Sequence, residues 1–134
     1  MRKLFYTVVF FVFSSPLLSQ EQHVSARVDN LKTFEVNKKA NKYVFYFPET
    51  ANVERVKETA EYYADYFTVN YDEQKKIATI LMKNSDHLSK KVISRFLLSN
   101  EISEVEAEGK KYLTSEFIMQ FVLNQDLKKM KAEE

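Results

Sequence analysis

From residue 43 to residue 108 the apolar positions switch repeatedly between a period of two and a period near 3.6, and each switch marks an element. Tyr43, Phe45 and Phe47 alternate with Val44 and Tyr46, so residues 43–47 read as a strand that is apolar on both faces. Such a strand suits a central place in a sheet covered on both sides. Pro48 ends it, because proline cannot donate to the ladder. Val53, Val56, Ala60, Tyr63, Ala64 and Phe67 then recur at helical spacing behind Asn52, a side chain suited to capping. Glu54, Arg55, Glu58, Glu61 and Asp65 fall on the other side, where Lys57 and Glu61 stand at the i,i+4 spacing of an ion pair.

Two alternating runs follow, 66–71 and 76–82, joined by the turn Asp72-Glu73-Gln74-Lys75. Ser85 or Asp86 opens a second helix whose buried stripe is Leu88, Val92, Ile93, Phe96 and Leu97. Lys90, Lys91 and Arg95 stay outside, and Asn100 stops the helix. Ile102, Val105 and Ala107 define a last strand, with Glu104, Glu106 and Glu108 on its other face, and Gly109-Lys110-Lys111 closes the unit. Strand, helix, strand, strand, helix, strand is the split βαβ, or ferredoxin-like, order. It predicts an α+β fold with a four-stranded antiparallel sheet and two packed helices over residues 43–112.

The flanks read differently. Residues 21–42 are a polar lead-in, within which Val24, Ala26 and Val28 alternate weakly enough to allow only a short extra strand. Residues 113–134 predict a C-terminal helix from Thr114 or Ser115 to about Lys131, packed on the domain. Its apolar residues wrap most of the circumference, which calls for burial on more than one side. It either covers the sheet face left open by the other helices or forms a homodimer interface. A strand over 117–123 is a third reading, since Phe117, Met119, Phe121 and Leu123 also alternate.

Residues 1–20 read as a secretory signal: Arg2 and Lys3, then an apolar run from Leu4 to Phe13, then Ser14-Ser15-Pro16. The run is too short for a bilayer, which takes roughly 20 apolar residues. Cleavage near Ser19 and Gln20, with no stable membrane span afterwards, is therefore preferred to an uncleaved anchor. That places the protein in a periplasmic or secreted compartment.

Removing Arg2 and Lys3 leaves 18 basic residues against 19 acidic, a net charge of −1. A near-neutral exported chain is a poor nucleic-acid partner. With no cysteine it has no disulfide, thiolate metal site or cysteine nucleophile, and a single glycine excludes a glycine-rich phosphate loop.

At residues 47–56 the chain resembles the heavy-metal-associated domain, a small copper-chaperone-like module of the same βαββαβ order. That family's loop reads Met-x-Cys-x-x-Cys-Val-x-x-Ile. Val53 and Val56 fill its valine and isoleucine positions, Phe47 its methionine, and Glu49 and Asn52 stand where the two thiolates would be. The resemblance covers roughly half the chain and implies the fold without the chemistry, because soft-metal binding needs sulfur donors.

Non-thiolate ligands come down to Glu49, His87, Glu104 and Glu106, with Met82 or Met119 completing a conceivable His–Met copper site. Carboxylates at i,i+2 on a strand are about 7 Å apart, long for one ion, and a charged sheet edge accounts for the glutamates equally well. His87 beside Asp86 has no nucleophile placed with it, so no catalytic residue and no cofactor is assigned. Tyr62, Tyr63, Tyr66 and Tyr71 cluster at a helix–strand corner, and Tyr62 and Tyr66 are the pair expected to be exposed. Exposed tyrosines offer large contact area at low entropic cost. The expectation is therefore an exported, non-catalytic interaction module meeting an envelope or periplasmic protein through the open sheet face, the corner of Tyr62 and Tyr66, or the C-terminal helix. The alternative is a periplasmic metal-handling protein with non-thiolate ligands.

Overall fold

The computed structural model describes residues 24–124. In chain order the elements are β1 (Ser25–Arg27), α1 (Leu31–Lys39), β2 (Lys42–Tyr46), α2 (Val53–Tyr62), β3 (Phe67–Asp72) and β4 (Ile77–Met82). They continue with α3 (His87–Ser99), β5 (Glu104–Ala107), β6 (Lys110–Leu113) and α4 (Thr114–Phe117), which runs into a π-helical turn (Ile118–Val122). The signal-like segment and the chain beyond Asn124, to which the long C-terminal helix was expected to extend, lie outside the described residues.

The fold is α+β, with one six-stranded sheet in the order β3-β4-β2-β1-β5-β6. This corrects the expected four-stranded antiparallel sheet in two respects. β1 pairs with β5 in parallel, Ala26 opposite Val105, and it stands between β2 and β5. β6 pairs with β5 through the two-residue turn Glu108-Gly109, both at positive φ (51° and 80°), so β5 is not a sheet edge. Two consecutive left-handed residues match the right-handed twist of a tight hairpin, and Gly109 takes its share without a Cβ penalty.

The polar lead-in is the larger correction. It is folded, and it belongs to the core. Asn30 Oδ1 accepts from Thr33 N at 2.8 Å to cap α1, and Glu108 Oε2 accepts from Leu31 N at 3.0 Å. Two of the helix's otherwise unpaired first-turn donors are thereby satisfied. Lys38 and Lys39 lie in the last turn, where cations suit the helix dipole. Phe34, the helix's one buried residue, is 2% exposed.

All the helical segments pack on one face of the sheet. Phe34 meets Tyr43 and Phe45 with ring centroids at 5.8 and 6.1 Å, and Phe117 meets Phe34 at 5.3 Å and Phe45 at 6.3 Å. Phe96 of α3 lies 5.7 Å from Phe67 and 6.2 Å from Phe47. The register puts Phe67, Ile80, Ala78, Tyr43, Phe45, Ala26, Val105 and Ala107 on this covered side, all of them buried. β2 is central, as its composition requires, yet it is covered on one side only. Val44 and Tyr46 point to the open face and are half-buried there by neighbouring strands, with the Arg27 guanidinium 4.3 Å from the Tyr46 ring.

The described part of the C-terminal segment, to Asn124, does not cover the open face either. Phe117, Ile118, Val122 and Leu123 are buried on the same side as the other helices. Lys38 Nζ donates to Phe121 O at 2.8 Å, and Thr114 Oγ1 donates to Ile102 O at 2.8 Å, so Thr114 anchors the segment instead of capping it. Over 117–123 the chain is helical, not a strand.

Phe34 lies at the contact of α1, β2 and α4, so its truncation tests whether the lead-in contributes to the core. Phe34→Ala should cost about 3–5 kcal/mol in urea unfolding. A loss below about 1 kcal/mol would mean that α1 is only an appendage.

Candidate functional site

Both long helices start as the sequence reading expects. Asn52 Oδ1 accepts from Arg55 N at 3.1 Å at the head of α2. At the head of α3 the Asp86 carboxylate accepts from Ser89 Oγ at 2.6 Å and Ser89 N at 3.4 Å. The Ser89 hydroxyl bond, helped by backbone bonds and the nearby Lys90 charge, holds the Asp86 carboxyl below its ordinary value. Asn100 stops α3, with Glu101 beyond it in the left-handed region at φ 64°.

The two helices are tied to each other near these ends. Asn100 Nδ2 donates to Thr59 Oγ1 and to Phe96 O, both at 2.9 Å, and the hydroxyls of Tyr63 and Ser99 meet at 3.4 Å. Arg55 pairs with Glu101 at 2.9 Å. These contacts hold α2 and α3 at a set spacing and leave a groove along their outer side. One hollow of about 370 Å³ is lined by Glu58, Thr59, Tyr62, Tyr63 and Ser99. A second, of about 290 Å³, is lined by Tyr66, Leu88, Lys91, Val92 and Arg95. Residues 88, 91, 92, 95 and 99 recur at the spacing of a single helical stripe, so one side of α3 walls both hollows.

Tyr62 is 79% exposed and Tyr66 40%. Tyr62 stands edge-on to Tyr63 at 4.8 Å. They are not one helical turn apart on a common helix, as the spacing suggests. α2 ends at Tyr62, and Tyr66 lies in the following turn, its N–H bonded to Tyr63 O at 3.0 Å. Leu88, expected in the buried stripe, is 70% exposed at the groove. It shares the outer side of α3 with the exposed Lys91 and Arg95, while the neighbouring Ser89 is already buried against the rest of the fold. Lys57 turns to Glu73 at 3.2 Å instead of Glu61, leaving Glu61 without an ion pair among the described residues.

The metal candidates are dispersed. Glu49 is exposed in the loop after β2. His87 is half-buried at the start of α3, in the helical layer, and its Nδ1 has no hydrogen-bond partner among the described residues. Glu104 and Glu106 lie on the open face of the sheet, where Ser25 Oγ donates to Glu104 Oε1 at 3.3 Å. In the register Glu106 stands between Arg27 and Lys111. Glu108 is occupied with capping α1. Met82 sits half-buried on the covered face and Met119 is exposed beside Ser115, Glu116 and Gln120. Among the described residues no three His, Asp or Glu side chains gather in a way that could hold a metal ion.

Nor is any described helix long and apolar enough to cross a membrane. Comparison of the chain with protein-family models, with curated proteins and with solved structures finds no match.

Two measurements follow from this geometry. A folded-state pKa below the unfolded one makes Asp86 stabilising above the ordinary aspartate range of about 3.9, and that contribution is lost as pH falls through the depressed value. Asp86→Asn keeps a capping side chain, so it should leave neutral-pH stability nearly unchanged and flatten the loss of stability below about pH 4. An unchanged acid limb would remove the carboxylate from that role. Thermal melts with Cu(I), Cu(II), Zn²⁺, Ni²⁺ and Ca²⁺ should coincide with the metal-free melt. Saturation at a hundred times Kd would add about 2.7 kcal/mol and be plainly visible.

Proposed function

We propose that this chain is an exported, non-catalytic interaction module that meets an envelope or periplasmic protein through the groove between α2 and α3. The observation that carries the reading is the groove wall itself. The exposed side chains of Tyr62, Tyr66 and Leu88 line two hollows along these helices, the first of them beside the hydrogen bonds that join α2 to α3. Isolated exposed apolar residues need no explanation, whereas several along one groove are what a protein partner covers. Tyrosine there gives contact area with few rotors to freeze.

Export rests on the N-terminal sequence. Kinship in shape with heavy-metal-associated domains is supported by strand order: with β1 and β6 set aside, β3-β4-β2-β5 is the order of a split βαβ unit. In this reading β1 and β6 are additions to that unit, and the loss of the thiolate pair at Glu49 and Asn52 leaves a scaffold used for recognition. Metal handling by Glu49, His87, Glu104 and Glu106 has less support, since these residues are spread over both layers.

The test is capture from an envelope extract of the source cells with the purified protein as bait. Tyr62→Ala with Tyr66→Ala should abolish the captured band, while Glu104→Gln with Glu106→Gln on the opposite face leaves it intact. Loss with the glutamate pair and retention with the tyrosine pair would move the site to the open sheet face.

A further inference from the structure

The outer surfaces of α2 and α3 carry opposite charge. On α2, Glu54, Glu58 and Glu61 are exposed, and Asp65 follows in the turn. The cations of that helix are directed elsewhere: Arg55 to Glu101 at 2.9 Å and Lys57 to Glu73 at 3.2 Å. Glu54, Glu58 and Glu61 are therefore left without ion pairs among the described residues. On α3, Lys91 and Arg95 are exposed and likewise unpaired among the described residues. Between the acidic wall and the basic wall runs the groove with Tyr62 and Leu88, 79% and 70% exposed, and Leu98, 50% exposed, lies farther along α3.

We infer that the occupant of this helical face is a second copy of the same chain, an inference that rests on the groove being an interaction surface. The charge layout has the symmetry a homodimer needs. A two-fold axis running along the groove carries α2 of one copy over α3 of the other, and α3 over α2. Glu61 and Asp65 of each copy then face Arg95 and Lys91 of the other, twice over. Around the axis the exposed tyrosine and leucine side chains cover one another. This is an isologous interface, in which a patch is complementary to itself because each half complements the other half.

An anionic membrane fits the same surface poorly, since a plane drawn to Lys91 and Arg95 meets the carboxylates of α2 as well. An acidic peptide satisfies only one wall. A second copy satisfies both.

The association this predicts is reversible and weakens with salt, because rim charges are screened over about 8 Å at physiological ionic strength. Its decisive property is a charge exchange between two variants of the purified protein. Glu61→Lys with Asp65→Lys turns the facing acids basic, and Lys91→Glu with Arg95→Glu makes both walls acidic. Each variant alone should lose at least about tenfold in self-association by sedimentation equilibrium, a change of about 1.4 kcal/mol. An equimolar mixture of the two should recover association, since every contact between unlike variants is again acid on base. All four positions are exposed, so circular dichroism and melting should match the wild type and exclude misfolding as the cause.

Three results would overturn the inference: a wild-type protein that stays monomeric at all concentrations, a dimer indifferent to the reversals, or variants that stay apart when mixed. A monomer that still captures an envelope protein through Tyr62 and Tyr66 would overturn the self-pairing alone and leave the interaction surface in place. Binding of the wild type to vesicles containing anionic lipid, with no self-association, would assign the basic wall to a membrane instead.

Discussion

The ring contacts of Phe34 are the constraint on which the rest of the structure depends. This side chain comes from the polar N-terminal stretch, yet it touches Tyr43 and Phe45 of the central strand and Phe117 of the C-terminal segment. Two neighbouring N-terminal elements and a segment more than seventy residues farther along the chain meet at one aromatic cluster. A chain without cysteine has no covalent tie to hold such an arrangement, so buried area must do it. Edge-to-face packing of the rings adds direction to that burial, and direction is what places α1 and α4 side by side over β2, β1 and β5.

Placing every helix on one side of the sheet has consequences for function. The open face mixes charged and apolar side chains: Arg27, Glu106 and Lys111 adjoin in the register, while Val44, Tyr46, Ile77 and the exposed Leu81 lie across β2 and β4. A sheet whose strands pair mostly antiparallel tolerates water on one side. The helical layer is different. Its outer side exposes tyrosine and leucine between an acidic and a basic helix, and this uncompensated pattern is what distinguishes the groove from the rest of the surface. The same layer keeps the sequence candidates for a metal from meeting in one site. His87 belongs to it, whereas Glu104 and Glu106 project from the opposite face, so the sheet itself separates them.

Short-range features of the sequence were read correctly wherever the determining interaction is local. Asn52 and Asp86 cap their helices because the acceptor and the donor lie three residues apart. The hairpin between β3 and β4 follows from alternation and a polar turn, with the Asp72 carboxylate accepting from Gln74 N and Lys75 N, both at 3.0 Å. Tyr62 is exposed as helical periodicity predicts, whereas Tyr66 is exposed in the turn that follows the helix. Leu88 misled, because its i,i+4 spacing from the buried Val92 suggested burial while it shares the outer side of α3 with the exposed Lys91 and Arg95.

What the sequence determined alone, then, is the set of elements from β2 to β5, their caps and the absence of thiol chemistry, all consequences of residues a few positions apart. Tertiary structure decided the rest. β1 is three residues long and weakly patterned, and it becomes a strand because β2 and β5 offer it two rows of backbone partners. α1 has one buried side chain and gains its place from a cavity that only the assembled sheet and α4 create. The pairing of Lys57 with Glu73 and of Arg55 with Glu101, which leaves the outer carboxylates of α2 unmatched, depends on which loops arrive beside that helix. No local rule specifies those arrivals, because each is the outcome of long-range packing around the aromatic cluster.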